Sequence, residues 1–360
     1  MIVYIGASTG EGKAEGISVF RLDEGTGALA HIQSVAAENP SFVALHPQGT
    51  HLYAVTRSGG AGGGSSSVEA YAIDPSDHTL TFLNRVASGG ASPAHVSVHP
   101  SGKSVYAANY GSGHAASFPV REDGSLGEAA SAYLHDGYEG FKHPGPNARR
   151  QEGPHAHFIT PDPTGARVLS CDLGCDRVFV YTTDAANGKM TPNEVPYAQV
   201  PSGAGPRHLS FHPSGRFVYV INEIACTISA FTYDERGALQ IVDTQNTLPV
   251  AREAGHSTAQ IVVHPNGRYV YGSNRGHHSI AIFEIDQQTG RLTPRGHEST
   301  QGKTPRNFNI NPSGTLLLAA NQDTNTIVAF TIDGETGKLT ATGQITETPS
   351  PTCVVFLAKG

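Results

Sequence analysis

Short apolar runs separated by turn-forming residues recur along this chain, and the clearest case lies between Gly205 and Glu223. Leu209–Phe211 and Phe217–Ile221 are apolar and β-prone, with His212-Pro213-Ser214-Gly215 between them. Proline presets the φ of a turn and glycine accepts a positive φ, so the stretch predicts a β-hairpin. The same turn returns as His46-Pro47-Gln48-Gly49, His99-Pro100-Ser101-Gly102, Asp162-Pro163-Thr164-Gly165, His264-Pro265-Asn266-Gly267 and Asn311-Pro312-Ser313-Gly314. The first residues of these turns lie 53, 63, 50, 52 and 47 positions apart. A period of this size marks a repeat architecture.

A second turn completes the unit. Asp23-Glu24-Gly25-Thr26-Gly27 returns as Asp123-Gly124-Ser125, Asp234-Glu235-Arg236-Gly237, Asp286-Gln287-Gln288-Thr289-Gly290 and Asp333-Gly334-Glu335-Thr336-Gly337. Each repeat therefore reads as strand A, Pro-x-Gly turn, strand B, loop, strand C, Asp/Gly turn and strand D, with period-2 alternation such as Val218-Tyr219-Val220-Ile221. Four short strands in about 50 residues form one blade of a propeller. Complete repeats begin near Ser41, Ala94, His155, Arg207, Thr258 and Arg306. The N-terminal stretch supplies three further strands, Val3–Ile5, Ile17–Arg21 and Leu29–Val35, and Pro351–Leu357 supplies a lone strand A. Pairing the two ends closes the ring and removes two open sheet edges. The expected fold is all-β: a seven-bladed propeller of four-stranded antiparallel blades, in one domain over residues 1–360.

Composition narrows the function classes. The net charge of −7, with 24 scattered basic residues, argues against a nucleic-acid surface. No run approaches the ~20 apolar residues of a membrane helix. Met1-Ile2-Val3-Tyr4-Ile5-Gly6 carries no basic region ahead of its apolar run, unlike a secretory signal. Cys171, Cys175, Cys226 and Cys353 form neither a disulfide framework nor a zinc spacing. These features predict a cytoplasmic chain, a monomer or weak homo-oligomer, that meets a small molecule and neither nucleic acid nor membrane.

Two stretches depart from the repeat: Arg57–Ser67, read as a flexible Gly/Ser loop, and Ser131–Gly153, an insertion carrying Lys142, His143, Arg149, Arg150, Gln151 and Glu152. Insertions this long in a compact repeat are more often functional than not. Strand order brings the start of A, the end of B and the start of C to one face. That face should collect Arg207 and His208, Asn222 and Glu223, His155 and His157, Asp172, Asn109, Asn274 and Arg275, Arg306 and Asn307, and Asn321 and Gln322. Residues that recur in many blades are read as structural: the turn histidines His46, His99, His212 and His264, and the strand-end asparagines. Asp172 and Asp176 are read as loop ties, and Cys171 and Cys175 as core fillers. The candidates are the residues that break the repeat: His155-Ala156-His157, Arg207, Glu223, Arg275 and Arg306. His-Ala-His at a strand start puts both rings on one side of the sheet. Such a pair could serve as a general base or as metal ligands, but only Glu223 and Asp172 could extend a metal set, so no metal and no cofactor is expected.

Gln151-Glu152-Gly153-Pro154-His155-Ala156-His157, Gly205-Pro206-Arg207-His208 with Asn222-Glu223, and Thr304-Pro305-Arg306-Asn307-Phe308 carry a resemblance. Together they resemble the seven-bladed propeller lactonase family, which includes 6-phosphogluconolactonases and the carboxy-muconate lactonising enzyme. The similarity covers the whole chain, including the Asp-x-x-Thr-Gly-x-Leu turns at 286–292 and 333–339. It implies hydrolysis of a sugar lactone, foremost 6-phosphogluconolactone, a pentose phosphate step. The positions matching the family's catalytic group are His155 or His157, Arg207, Glu223 and Arg275. Ser257-Thr258-Ala259-Gln260 departs from the pattern, so that blade should contribute less. No nucleophilic serine elbow is visible, which favours direct attack by water. The expected roles are His157 (His155 second) as base, Arg207 at the oxyanion, and Glu223 orienting base or water, or donating a proton if its pKa is raised. Arg275, Arg306, Arg149 and Arg150, with Asn307 and His208, are expected to bind substrate and its phosphate. The alternatives are a carboxy-muconate cycloisomerase and a non-catalytic binding scaffold.

Overall fold

The strands B explain the architecture. Phe217–Asn222, Ser104–Asn109 and Leu316–Asn321 are buried at every position. The alternation expected for half-buried strands is therefore absent here, because each blade is covered on both faces by its neighbours. In the computed structural model, which describes residues 1–10, 15–58, 64–136 and 143–358, twenty-eight strands form seven four-stranded sheets. All strand pairs within the sheets are antiparallel, and no helix occurs among the described residues.

Strands A are Pro351–Leu357, Phe42–Leu45, Pro93–Val98, Ala156–Pro161, Pro206–Phe211, Ser257–Val263 and Pro305–Ile310, for blades 1 to 7 in that order. Each touches the strand A of the next blade, and the last touches the first, so they form a closed inner ring. Blade 1 is the composite one: Ile2 pairs with Leu357 and Ile5 with Val354. Apolar side chains fill the spaces between blades. Phe217, Tyr219 and Ile221 pack on Val270, Ala281 and Phe283, and Val3 and Ile5 pack on Leu316 and Leu318.

The Pro-x-Gly turns lie on the face opposite the candidate site, and they also fasten neighbouring blades. The Nε2 of His99 bonds Gly165 O, that of His212 bonds Gly267 O and that of His264 bonds Gly314 O, at 2.8–2.9 Å. Each acceptor is the turn glycine of the following blade. These glycines have φ of +72° to +75°, and a Cβ on any of the three would stand 2.6–2.7 Å from the histidine ring. Glycine is thus required twice, by conformation and by space.

The insertion is shorter than expected. Ser131–Leu134 is strand D of blade 3, pairing with His114–Ser117, so the extra chain begins at His135. Lys142 lies outside the described residues, as do positions 59–63 of the expected Gly/Ser loop. Arg57 closes strand B of blade 2 and Ser66 opens its strand C.

Candidate active site

The inner strands carry the feature that builds the site. In blade 5, Pro206 pairs with Asn222 and His208 with Ile221, so Arg207 is an extra residue, a β-bulge. The same break leaves His157 unpaired in blade 4, Arg306 in blade 7, Ala94 in blade 3 and Thr352 in blade 1. A bulge re-aims a side chain that pleating would send elsewhere. All five bulged residues line one cavity of about 320 Å³, at the lower end of the ~300–1,000 Å³ typical of ligand pockets. A second tier comes from the position after the last interior residue of strand B. Arg57, Tyr110, Glu223 and Arg275 occupy it in blades 2, 3, 5 and 6, and all four reach the cavity wall.

Glu223 is the electrostatic centre. Its Oε2 lies 2.8 Å from Arg207 Nε and 2.9 Å from an Arg275 Nη, and its Oε1 lies 2.5 Å from an Arg150 Nη. Burial by itself would raise the carboxyl's pKa, but Arg275, Arg207 and Arg150 outweigh it and hold the group well below the usual carboxylate range. Glu223 is therefore ionised, and the proton-donor role conditional on a raised pKa does not apply. Arg207 is clamped further: its Nη1 donates to Ala259 O at 2.6 Å and to His208 Nε2 at 3.1 Å, while its Nη2 makes no hydrogen bond among the described residues. His208 must then carry its proton on Nδ1, which it gives to Gln260 Oε1 at 2.6 Å. Blade 6, expected to contribute less, holds the site from behind through Ala259 O, Gln260 and Thr258 O, the last bonded by Arg275 at 2.7 Å.

The two histidines of His155-Ala156-His157 do not point the same way. The bulge at His157 breaks the alternation. His157 lines the cavity, its Nδ1 buried without a partner and its ring edge-on to His208 at 5.2 Å. Burial, then Arg207, Arg306 and Arg275, push its pKa well below 6.5, so the ring is a neutral base. His155 instead stacks on Tyr110 at 4.4 Å, with Nδ1 2.9 Å from Tyr110 O and Nε2 3.0 Å from Glu152. It is a support and not part of the wall.

Other expected site residues separate in the same way. Arg306 lines the cavity with no hydrogen bond or ion pair among the described residues, and burial with the Arg275 and Arg57 charges brings it down to about 10. Arg57, read in the sequence only as the start of a loop, also lines the cavity, its side chain without a partner among the described residues. Arg150 reaches in from the insertion, whereas Arg149 is exposed and outside the cavity wall. Asn307 is turned to the framework, accepting from Val354 N at 3.0 Å. Asn109, Asn222, Asn274 and Asn321 tie their loops, as expected of a recurring residue. Asp172 accepts from His155 N and Cys175 N and pairs with His135, and Asp176 takes Gly203 N and Gly205 N. Among the described residues no group of three or more His, Cys, Asp or Glu is placed to hold a metal ion.

Tyr110 was missed altogether. The signal was available in the recurrence of Asn109-Tyr110, Asn222-Glu223 and Asn274-Arg275, where a constant residue precedes a variable one.

This geometry can be set beside known proteins. The family described as "Lactonase, 7-bladed beta-propeller" matches residues 2–356. The chain is 38% identical over 315 residues to a 6-phosphogluconolactonase of Bacillus subtilis (strain 168), covering 85% of this chain and 84% of that one. A putative 6-phosphogluconolactonase structure from Bacteroides fragilis NCTC 9343 superimposes with a TM-score of 0.90 at 33% identity, covering 99% and 98% of the two chains. The periplasmic gluconolactonase of Pseudomonas aeruginosa gives a TM-score of 0.91 at 28% identity, with 99% of both chains covered.

Proposed function

The chain belongs to the seven-bladed β-propeller lactonase family and is a lactone hydrolase, and on that footing we propose that its substrate is a phosphorylated sugar lactone, 6-phosphogluconolactone. The observation that carries this reading is the charge of the cavity. Five guanidiniums face one carboxylate, and among the described residues the side chains of Arg57 and Arg306 have no hydrogen-bond or ion-pair partner. A neutral sugar lactone has no use for unpaired cations, whereas a phosphomonoester dianion does.

In this reading the phosphate lies against Arg306 and Arg57, and the ester carbonyl lies at Arg207. The unengaged Nη2 of Arg207 meets the oxyanion that forms when water attacks, a contact typically worth ~3–4 kcal/mol. His157, neutral and facing the cavity, takes the water's proton. Glu223 holds Arg207, Arg275 and Arg150 in place and keeps the cationic wall from repelling itself apart. The products are 6-phosphogluconate and a proton. The four cysteines, unpaired and buried, support a reducing cytoplasmic setting for this chain.

The test compares fresh 6-phosphogluconolactone, gluconolactone and carboxy-muconate, followed by pH-stat. The expected wild-type order of kcat/KM is phosphorylated lactone far above the other two. Arg306→Ala and Arg57→Ala should each raise KM for the phosphorylated lactone ~10–100-fold, from ~1.5–3 kcal/mol per charged hydrogen bond, and change gluconolactone less than about threefold. Equal turnover of both lactones, or a preference for carboxy-muconate, would overturn the proposal.

A further inference from the structure

Opening a lactone ring breaks a carbon–oxygen bond and leaves an alkoxide, which needs a proton as it departs. The cavity wall offers few protons. Glu223 is ionised within its three arginines, and the arginines keep their charge. The proton of His208 is given to Gln260. What remains is the hydroxyls of Ser41, Ser92 and Thr352 and the phenol of Tyr110, and a phenol, with an ordinary pKa of about 10, is by far the strongest acid of these.

Tyr110, which follows the end of its strand B, also differs from three of the tyrosines within strands B. Tyr53, Tyr219 and Tyr271 donate their hydroxyls to Gly124 O, Gly290 O and Gly337 O of a neighbouring blade. The Tyr110 oxygen instead accepts from an Arg150 Nη at 3.2 Å, and no acceptor among the described residues takes its proton. The same guanidinium group bonds Glu223, so a fixed positive charge sits on the phenol oxygen, where it would stabilise a phenolate. His155 stacks on the ring from one side, and His157 meets it edge-on at 5.4 Å and 79°. Burial is the larger influence and, with Glu223 and Glu152, outweighs Arg150 and holds the phenol above its ordinary range, so the group is protonated and able to donate.

We infer that Tyr110 is the general acid of the reaction, protonating the leaving ring oxygen while His157 activates the water. This rests on the hydrolytic reading above. As the water oxygen bonds to the carbonyl carbon, His157 takes its proton. As the ring carbon–oxygen bond breaks, the leaving oxygen takes the phenol proton. The imidazolium then returns its proton to the phenolate across the shared cavity, and the proton of the new carboxylic acid goes to solvent. Nothing is oxidised or reduced.

The experiment replaces Tyr110 by Phe and, separately, by 2,3,5-trifluorotyrosine, a near-isostere with a much more acidic phenol. Folding of each variant is checked by melting, and kcat is followed against pH with 6-phosphogluconolactone. Tyr110→Phe should lower kcat ~10²-fold or more with KM within about threefold. The fluorinated variant should retain turnover at acidic pH and lose it as pH rises through the lowered phenol pKa, in a range where the wild type is still flat. A fluorinated variant without that alkaline limb would reduce Tyr110 to a positioning residue and overturn the inference. A Phe variant as fast as an active wild type would overturn it as well, leaving the lactonase reading intact. A wild type inert to every lactone would instead strike the hydrolytic reading and the inference with it.

Discussion

His157 differs from an ordinary histidine in ways that its surroundings dictate. Buried, and ringed by Arg207, Arg306 and Arg275, it is held neutral far below pH 6.5. A general base works only when unprotonated, so rate is lost as pH falls through its pKa, and a lowered pKa moves that loss to more acidic pH. We predict that kcat/KM stays level from neutrality down past pH 6.5, and that His157→Gln lowers kcat ~10²-fold or more. In Arg306→Ala, with one repelling charge removed, the acid limb should move up in pH. Half-loss of wild-type rate at or above pH 6.5 would exclude His157 as the base. Much at this scale was legible: His157, Arg207, Glu223, Arg275 and Arg306 all break the repeat, and all reach the cavity. His155 and Asn307, expected beside them, lie outside the cavity wall, because the one-residue bulges that decide which way a side chain faces leave no mark in the hydrophobic pattern. Tyr110 is harder to single out because tyrosine is common in this chain's core, and its place on the cavity wall and its Arg150 partner separate it from the others only in three dimensions.

The elements themselves could be read closely, since a Pro-x-Gly turn follows strand A in blades 2 to 7, Asp-led turns recur before strand D, and short strands have little room to slip. The turns have a second role that no single repeat could reveal, because its partner lies about fifty residues away: each histidine is bonded to the next blade. In the His212 turn, Nδ1 lies 2.8 Å from Ser214 Oγ and Nε2 lies 2.9 Å from Gly267 O. Two hydrogen bonds at ~0.5–1.5 kcal/mol each put the loss on His212→Ala at ~1–3 kcal/mol. The turn lies on the face opposite the cavity, so kcat and KM should stay within about twofold. Urea unfolding monitored alongside activity checks both halves. An unchanged midpoint would show that the inter-blade bond contributes nothing, and a lost activity with intact stability would place the turn in the site.

For the whole molecule the decisive fact is that a ring must close. Six blades are continuous in sequence and the seventh is assembled from both ends, with Pro351–Leu357 paired to Ile2–Ala7. This closure was legible because the N-terminal repeat lacks a strand A and the C-terminus supplies one. The closing strand is part of the core: Cys353 packs with Tyr4 and Val43 of the blade 1–2 interface, and Val354 packs with Val3 and Leu318 of the blade 7–1 interface. Burying an aliphatic side chain is worth ~1.5–3 kcal/mol, so these two and the partly buried Val355, Phe356 and Leu357 together supply ~4–8 kcal/mol. That approaches the whole stability of an ordinary domain, ~5–15 kcal/mol, before the strand's backbone hydrogen bonds are considered. Removal would also bare the edge of Ile2–Ala7, a template for pairing with another chain, and take Thr352 from the cavity wall. Deleting residues 351–360 should therefore abolish activity and give a chain that melts at least ~10 °C lower or associates through the open edge, as read by calorimetry and light scattering. Adding the peptide 351–358 in trans should recover part of the melting temperature, because the edge of Ile2–Ala7 and the apolar side chains of blades 7 and 2 that this strand covers remain to receive it. A truncated protein that melts where the full chain does, as a monomer, would show that six and three-quarter blades suffice and that closure is dispensable.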